Sequence, residues 1–274
     1  MRGWLVYSPE GYALNSWFAN RLLSFAADAG IALELKLVPD GMPAESLMAG
    51  AALPELAVVR AIRPDVSAFL SEHGVRVVNN AETARIANDK WATFLLAQEL
   101  EIPVLTTEAI TLPAVPACGF PCVVKSRDGH GGSEVFLVSD VEELARIAVS
   151  TGKRDYVAQP LCDTPGKDVR VYALGERIVA AVQRTSTTDF RSNFKLGGEV
   201  AAVAPTPFQR DVVRRLQRRL GFDFVGVDFI SHAGGWVLNE IEDVVGTRML
   251  YATTSHDAAS LLAQRLARLG EELV

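Results

Sequence analysis

Cysteine and histidine are scarce in this sequence, which has three cysteines and four histidines among 274 residues. The cysteines, Cys118, Cys122 and Cys162, are an odd number in a long chain. This predicts reduced thiols and a cytoplasmic location rather than a disulfide-bonded framework. No histidine lies near Cys118 and Cys122 to complete a zinc ligand set, so we do not expect that pair to hold a metal.

Long apolar runs and an excess of positive charge are also missing. No run approaches the roughly 20 apolar residues of a membrane-spanning helix, and we expect no signal peptide at the N-terminus. The formal net charge is −6 and the pI is near 5.3. This argues against nucleic acid or an anionic membrane as the main partner. Neither Gly-x-Gly-x-x-Gly nor Gly-x-x-x-x-Gly-Lys-Ser/Thr occurs, which excludes those two phosphate-binding loops.

Strands alternate with helices over the first 80 residues. Short apolar runs predict strands at 4–7, 32–38, 56–60 and 75–78. Helical periodicity at about 16–29 and 65–73 fills two of the gaps, and Pro9 and Gly11 are expected to break the chain before the first helix. This order predicts a small parallel α/β domain, and we place its boundary near residue 80.

The remaining chain, 81–274, has a less regular order of elements. Helices are expected after Asn80, at 91–100, from Ser139 to Ile147 with a Ser139–Glu142 capping box, from Pro207 to Leu220 and at about 257–273. Strands are expected at 120–125, 135–138, 156–161, 168–173 and 177–184, with a Pro-rich loop before residue 120 and a polar loop at 185–198. The arginines of 207–220 form a broad solvated face.

The segment VGVDFISHAGGWVLNEIEDVV, residues 225–245, predicts a hairpin around His232-Ala233-Gly234-Gly235. A register centred on Gly234 places Asp228 opposite Glu240, with Glu242 on the same face because strand side chains alternate. The other face then carries the core side chains Val225, Val227, Phe229, Val237 and Ile241.

Three carboxylates on one face of a hairpin repel one another unless a cation lies among them. Their hard oxygen atoms and two-residue spacing suit Mg²⁺, which usually binds one or two carboxylates plus substrate phosphates. The alternative is an exposed face with scattered acids. Lys125 ends a strand before the glycine-rich turn SRDGHGGSE, where main-chain N–H groups and an ammonium can approach phosphates. The alternative there is an ordinary hairpin with a flexible tip.

The order of these motifs resembles the ATP-grasp superfamily, and within it the RimK-like glutamate ligases. The resemblance covers roughly residues 80 to 250. It rests on NDK at 88–90, FPCVVKSRDGHGG at 120–132, the Gln159 strand, KDVRVYALG at 167–175, DFRSN at 189–193, GVDFI at 226–230 and NEIED at 239–243. It implies an α/β protein with an ATP-grasp fold, in which two α+β subdomains clamp ATP, preceded by the small parallel α/β domain 1–80. The lid subdomain would span about 100–160.

The resemblance also implies roles for individual residues. Those expected to bind ATP are Lys90, Lys125, Gly129, Gly131, Gly132, Ala158, Gln159, Pro160, Leu161, Asp168, Arg191, Ser192 and Asn193. Arg170, Arg184 and Arg191 are the expected catalytic residues, with Arg184 stabilising a tetrahedral intermediate. Asp228, Glu240 and Glu242 are the expected metal ligands, one of them bridging two ions.

Two positions depart from the family pattern. Glu242 stands where the family usually has Asn, which makes the site one charge more negative, and Pro160 stands where the family often has an acid. The run after Glu242 differs as well. There Arg248 is the candidate for gripping a substrate carboxylate, the alternative being an arginine paired with a nearby acid.

The resemblance therefore implies an ADP-forming ligase that uses ATP and Mg²⁺, or Mn²⁺, to join a carboxylate to an amine through an acyl phosphate. The expected partners are a small-molecule or peptide carboxylate and an amine such as an amino acid, with no nucleic acid and no membrane; a homo-oligomer is compatible with the sequence. The alternatives are an ATP-grasp kinase that stops at phosphorylation and a nucleotide-binding module without catalysis.

Overall fold

The computed structural model describes residues 1–48, 52–132, 134–152, 155–192 and 198–272. The first sheet has four parallel strands in the order β2-β1-β3-β4. They are β1 (Arg2–Tyr7), β2 (Ala32–Leu37), β3 (Leu56–Val59) and β4 (Arg76–Val78). Helices α1 (Pro9–Asp28) and α2 (Pro64–Glu72) connect them, and a 3₁₀ helix (Ala44–Met48) precedes β3. The parallel α/β layout expected for the N-terminal region is therefore confirmed.

Two short helices, α3 (Ala81–Ala87) and α4 (Lys90–Glu99), lead into a four-stranded antiparallel sheet. Its strands are β5 (Glu108–Thr111), β6 (Cys122–Ser126), β7 (Val135–Val138) and β8 (Asp155–Pro160), in the order β5-β8-β6-β7. Helix α5 (Val141–Thr151) packs against this sheet around Leu144 and Ile147. We call these elements the lid sheet and its helix.

The third sheet has five antiparallel strands in the order β11-β10-β9-β12-β13. They are β9 (Lys167–Leu174), β10 (Arg177–Thr185), β11 (Glu199–Val203), β12 (Phe224–His232) and β13 (Gly235–Glu242). Helix α6 (Pro207–Leu220) precedes the β12–β13 hairpin, and α7 (Arg248–Thr253) and α8 (Ala258–Glu272) follow it. Thr206 caps α6 through a reciprocal capping box with Gln209, as its Thr-Pro start predicts.

Apolar side chains cover both faces of the central sheets. One cluster joins the first sheet to α1, α8 and the five-stranded sheet, so the N-terminal 80 residues share a core with the rest of the chain. A second cluster lies between the other face of the five-stranded sheet and the helices α4 and α6. The division of the chain at residue 80 stays a prediction, because the first sheet ends at Val78 while its core continues into α8.

Some boundaries differ from the sequence expectations. A helical segment already begins at Pro9, because Ser8 accepts a hydrogen bond from the Gly11 N–H and proline suits the first helical turn. A kink at Asn15, whose φ and ψ are not helical, separates this segment from the helix expected at about 16–29. Asp140, not Ser139, caps α5. Strands β5 and β11 and helix α7 have no clear sequence signal, since each is only four to six residues long. Among the residues that the structure describes, no helix combines the length and apolar character that crossing a bilayer requires.

Candidate active site

The β12–β13 hairpin carries the predicted metal ligands, and its register contains a bulge that the sequence analysis did not predict. Asp228 does pair with Glu240. Towards the turn, however, Phe229 pairs with Leu238, so Asn239 is an extra residue in β13. Because of this bulge, Asn239 and Glu240 both line the cleft. Leu238 then lies on the face of the strand where Val237 was expected. Leu238, rather than the expected Val237, therefore packs in the core beneath the sheet.

Arg170 binds two of the three predicted metal ligands. Its Nε and Nη2 atoms donate to the two oxygens of Asp228, each at 2.7 Å, and Nη2 also donates to Glu242 at 2.6 Å. Strand register explains this contact, because Arg170 and Asp228 are directly opposed on β9 and β12. Gly226 leaves the space, since a Cβ there would lie 3.1 Å from Cδ of Arg170. Arg170 does not line the cleft, so the expectation that it faces the reacting centre is replaced by contact with the carboxylates.

Arg184 lies at the cleft and links two acids. It is paired in register with Asp168 on β9, and the two side chains form a bidentate ion pair with Nε donating at 2.6 Å. Its Nη2 also donates to Asp228 at 2.5 Å. Arg184 and Asp168 both line the cleft while remaining about 95% buried. Their position fits the expected contacts with a bound nucleotide and with developing negative charge.

The buried charges shift one another's pKa values in opposite directions. Burial alone would raise the pKa of Asp228, but Arg170 and Arg184 outweigh it and lower this pKa to about 2. Burial raises the pKa of Glu242, and the nearby charges of Asp228 and Glu240 add to this despite Arg170. Although burial opposes the charge of Arg170, Asp228 and Glu242 hold its pKa well above the ordinary value. The cluster is thus held by two arginines that alternate with carboxylates.

A cleft of about 850 Å³ including its open mouth separates the lid sheet from the five-stranded sheet. The predicted site residues that line it are Lys90, Lys125, Gly129, Gly131, Gly132, Gln159, Pro160, Leu161, Asp168, Arg184, Arg191, Ser192, Glu240 and Glu242. The sequence analysis did not assign Cys162, Lys167, Phe190 and Asn239, which also line it.

Two lysines, Lys90 and Lys125, line the cleft together with the glycine-rich segment. Lys90, at the first position of α4, donates to the carbonyl of Gly129. Lys125 donates to Oδ1 of Asn239 at 2.9 Å. Burial lowers the pKa of Lys125 to about 8, with Glu240 opposing this shift and Lys90 adding to it. A lysine of this kind gains charge stabilisation when a phosphate arrives.

Arg191 closes the glycine-rich side of the cleft. Its Nη1 donates to the carbonyl of Gly132 at 2.8 Å, and its other nitrogens contact Asp189. Ser192 is buried beside it. Asn193, the remaining residue of the expected DFRSN contacts, lies outside the described residues.

Ala158 and Arg248 do not line the cleft. The side chain of Ala158 is buried in the core of the lid sheet, whereas Gln159, the next residue along the strand, lines the cleft. A contact of Ala158 with ATP would therefore use its main chain, as the resemblance implies, and it stays a prediction. Arg248 is exposed at the start of α7, and its Nη2 donates to the Leu14 carbonyl of α1 at 3.1 Å. The loop after β13 carries Arg248 away from the carboxylates, so the structure does not bring it together with the other site residues.

The donor chemistry of the carboxylate cluster fits a divalent cation. Oxygen atoms of Asp228, Glu240 and Glu242 lie within 4.8 Å of one another, and hard oxygen ligands are those that Mg²⁺ and Mn²⁺ prefer. Glu240 and Glu242 turn towards the cleft. Asp228 is fully buried, and its Oδ2 accepts from both arginines while Oδ1 accepts from Arg170 alone. One lone pair of Oδ1 is therefore left for a cation.

Comparison with known proteins agrees with this geometry. An uncharacterized protein of Mycoplasma pneumoniae is 25% identical over 251 residues, which are 90% of this chain and 85% of that protein. A probable alpha-L-glutamate ligase of Parasynechococcus marenigrum is 29% identical over 77% of this chain, and the match spans 49% of that protein. The structure of D-alanine–D-alanine ligase from Bacillus anthracis complexed with ATP superimposes with a TM-score of 0.74 over 98% of this chain and 99% of that chain, at 14% identity.

These likenesses confirm the expected α/β architecture with an ATP-grasp fold. The model of the RimK-like ATP-grasp domain matches residues 87–266, about two thirds of the chain, and includes the glycine-rich segment, the arginines and the carboxylate hairpin. This chain therefore belongs to the RimK-like ATP-grasp family and is an ATP-dependent ligase that joins a carboxylate to an amine.

Proposed function

We propose that this ligase uses ATP with Mg²⁺ to activate the carboxylate of an amino acid or of a peptide end. The amine of an amino acid then attacks the activated carboxylate. The main support for this proposal is that Lys90, Lys125 and the glycine-rich segment line the same cleft as Glu240 and Glu242. Cationic and anionic groups facing one cleft suit a triphosphate whose charge is shared between lysines and a metal ion. The two relatives named above include a probable alpha-L-glutamate ligase, which supports an amino acid among the substrates.

The phosphate-binding role belongs to the lysines and to main-chain N–H groups. Lys125 and Lys90 would bind phosphate oxygens, with Gly129, Gly131 and Gly132 allowing the main chain to approach closely. The lid sheet carries this segment, and its closure over the nucleotide would exclude water from the reaction. We place the lid subdomain at about 100–160 and the two domains at 1–80 and 81–274.

Glu240 and Glu242 would hold the metal ion together with Asp228. The ion supplies charge neutralisation for the transferred phosphoryl group. Mn²⁺ has the same ligand preference and would substitute for Mg²⁺.

Arg184 would act at the reacting centre. It lines the cleft beside Glu242, and Asp168 holds its guanidinium in a fixed bidentate orientation. A rigid guanidinium of this kind stabilises the oxyanion that forms when an amine attacks an activated carboxylate. Arg170 would instead support the metal ligands from behind, and Arg191 would contact phosphate. The reduced cysteines agree with a cytoplasmic enzyme.

Product analysis tests this proposal. The purified protein is incubated with ATP and Mg²⁺ against a panel of amino acids and short peptides, and Glu240→Gln serves as the inactive control. We expect ADP and phosphate together with a condensed product whose mass equals both substrates minus water. Release of AMP and pyrophosphate would contradict the mechanism. Phosphate retained on the acceptor with every amine supplied would indicate the kinase, and nucleotide binding without ADP release the non-catalytic module.

A further inference from the structure

The side chain of Gln159 has one amide end held by a hydrogen bond and the other without a partner among the described residues. Gln159 lies opposite Val123 in the lid sheet, and both residues line the cleft. Its Nε2 donates to Oγ1 of Thr107 at 2.7 Å. Its Oε1 is buried and has no hydrogen-bond partner in the part of the chain that the structure describes. A buried acceptor left without a donor costs free energy, so its place beside a cleft is informative.

Thr107 determines which end of the amide is which. Its single hydroxyl hydrogen is donated to the carbonyl oxygen of Leu105 at 2.8 Å, and that oxygen can only accept. Oγ1 of Thr107 therefore has only lone pairs left for Gln159, and the amide must present its NH₂ group to Thr107. A flipped amide would place two acceptors against each other. The hydrogen-bond chain thus fixes Oε1 as the acceptor end of this cleft-lining side chain.

We propose that Thr107 is a positioning residue for base recognition, holding Gln159 so that Oε1 accepts a hydrogen bond from the exocyclic amino group of adenine. This inference rests on the proposed function, because it assumes that the base of ATP lies at the Gln159 end of the cleft. A 6-oxo purine presents a carbonyl oxygen at the same position, which leaves two acceptors facing each other. A site built to pair with a donor rejects a ligand that lacks it more strongly than a site of matching shape alone.

The test compares equilibrium binding of ATP and of inosine triphosphate, which carries a carbonyl in place of the 6-amino group, both with Mg²⁺ and without the acid or amine. Thr107→Val keeps the shape of the side chain but removes the hydroxyl, so the amide is free to turn. We expect the ratio of the two dissociation constants to fall by about tenfold, since one well-placed hydrogen bond to a buried group is lost. Thr107→Ser should keep the wild-type ratio.

Thr111→Val is the matched control, because Thr111 is exposed on the same stretch of the lid sheet, pairs with Asp155 and does not line the cleft. It should leave the ratio unchanged. The double variant Thr107→Val with Gln159→Glu should recover the preference for ATP, because a carboxylate accepts through either oxygen and needs no orientation. If Thr107→Val does not fold, Gln159→Leu provides the same comparison with the Thr107–Leu105 contact kept.

A Thr107→Val protein that binds both nucleotides with the wild-type ratio would overturn the inference, and so would one that loses both equally. These outcomes are distinct from failure of the proposed function. In that case the wild-type protein itself would bind neither nucleotide, or would bind ATP and form no amide while the base preference of the variants still behaved as described.

Discussion

Replacing Arg170 with methionine should destabilise the fold while leaving its shape almost unchanged. Methionine fills a similar volume but donates no hydrogen bonds. The guanidinium of Arg170 is about 95% buried and binds both Asp228 and Glu242. Without it, Asp228 has Arg184 as its remaining guanidinium partner and Glu242 loses the contacts that Arg170 makes with both its oxygens.

The size of the effect follows from the burial of these partners. Removing one member of a buried ion pair typically costs about 3–5 kcal/mol, because a charge is left uncompensated away from water. Asp228 is fully buried, and the side chain of Glu242 is 29% exposed. The Asp228 contact should therefore dominate the loss. A chain of this length changes its melting temperature by roughly 2–4 °C per kcal/mol, so we expect a decrease of about 10 °C.

The assay is urea and thermal unfolding of wild-type and Arg170→Met protein, each with EDTA and with Mg²⁺. Metal should stabilise the variant more than the wild type, because a cation among the carboxylates replaces part of the missing charge. The double variant Arg170→Met with Asp228→Asn is the control. It removes one of the carboxylate charges that Arg184 alone would otherwise have to balance, and it should unfold at a higher urea concentration than Arg170→Met alone.

A loss below about 1 kcal/mol would refute this reasoning, because it would mean that the carboxylates are neutralised by protonation or by other groups. Equal responses of the wild type and the variant to Mg²⁺ would contradict the placement of the cation among Asp228, Glu240 and Glu242.

Lys125, Glu240 and Asn239 give four further expectations. ATP affinity should fall as pH rises through about 8, the pKa of Lys125. ATP binding at pH 8 should also take up a proton, which calorimetry in buffers of different ionisation enthalpy would detect. Both effects should vanish in Lys125→Met. The same group should make the free energy of unfolding rise between about pH 8 and pH 10.5, because the unfolded chain then holds a proton that the folded chain has lost. Glu240→Gln should abolish ADP release yet change the free energy of unfolding in EDTA by less than about 1 kcal/mol. The change is small because Glu240 attracts Lys125 and repels Glu242 at the same time. A variant with a lower melting temperature and retained activity would contradict this. Asn239→Leu should weaken ATP binding by about 1 kcal/mol by removing the acceptor of Lys125, without changing metal binding, and unchanged ATP binding would show that Asn239 does not position the lysine.

Local pattern was sufficient for most elements of the fold. Apolar alternation, caps and glycine-bearing turns predict the four strands of the first sheet, the β9–β10 pair and the capped helix α6. Short elements without a period of their own, such as β5 and β11, escaped prediction because pairing with a neighbouring strand, rather than local preference, makes them strands. The β12–β13 register combines both cases. A symmetric count about Gly234 places Asp228 opposite Glu240, and the structure has this pair. The turn itself is centred between Ala233 and Gly234, and the extra residue Asn239 in β13 makes up the difference.

By itself, the sequence determined which chemical groups the protein brings to its site: a lysine before a glycine-rich segment, arginines on two adjacent strands, and carboxylates at a two-residue spacing on a hairpin. Those features depend on covalent order and on the alternation of side chains along a strand. Only the tertiary structure decided which charges touch. Four contacts join residues that are far apart in the chain. They are those of Arg170 with Asp228 and Glu242, of Lys125 with Asn239, of Arg248 with Leu14 and of Gln159 with Thr107. Such contacts are selected by packing and by the cost of leaving a buried charge or polar atom unpaired, which no local pattern records.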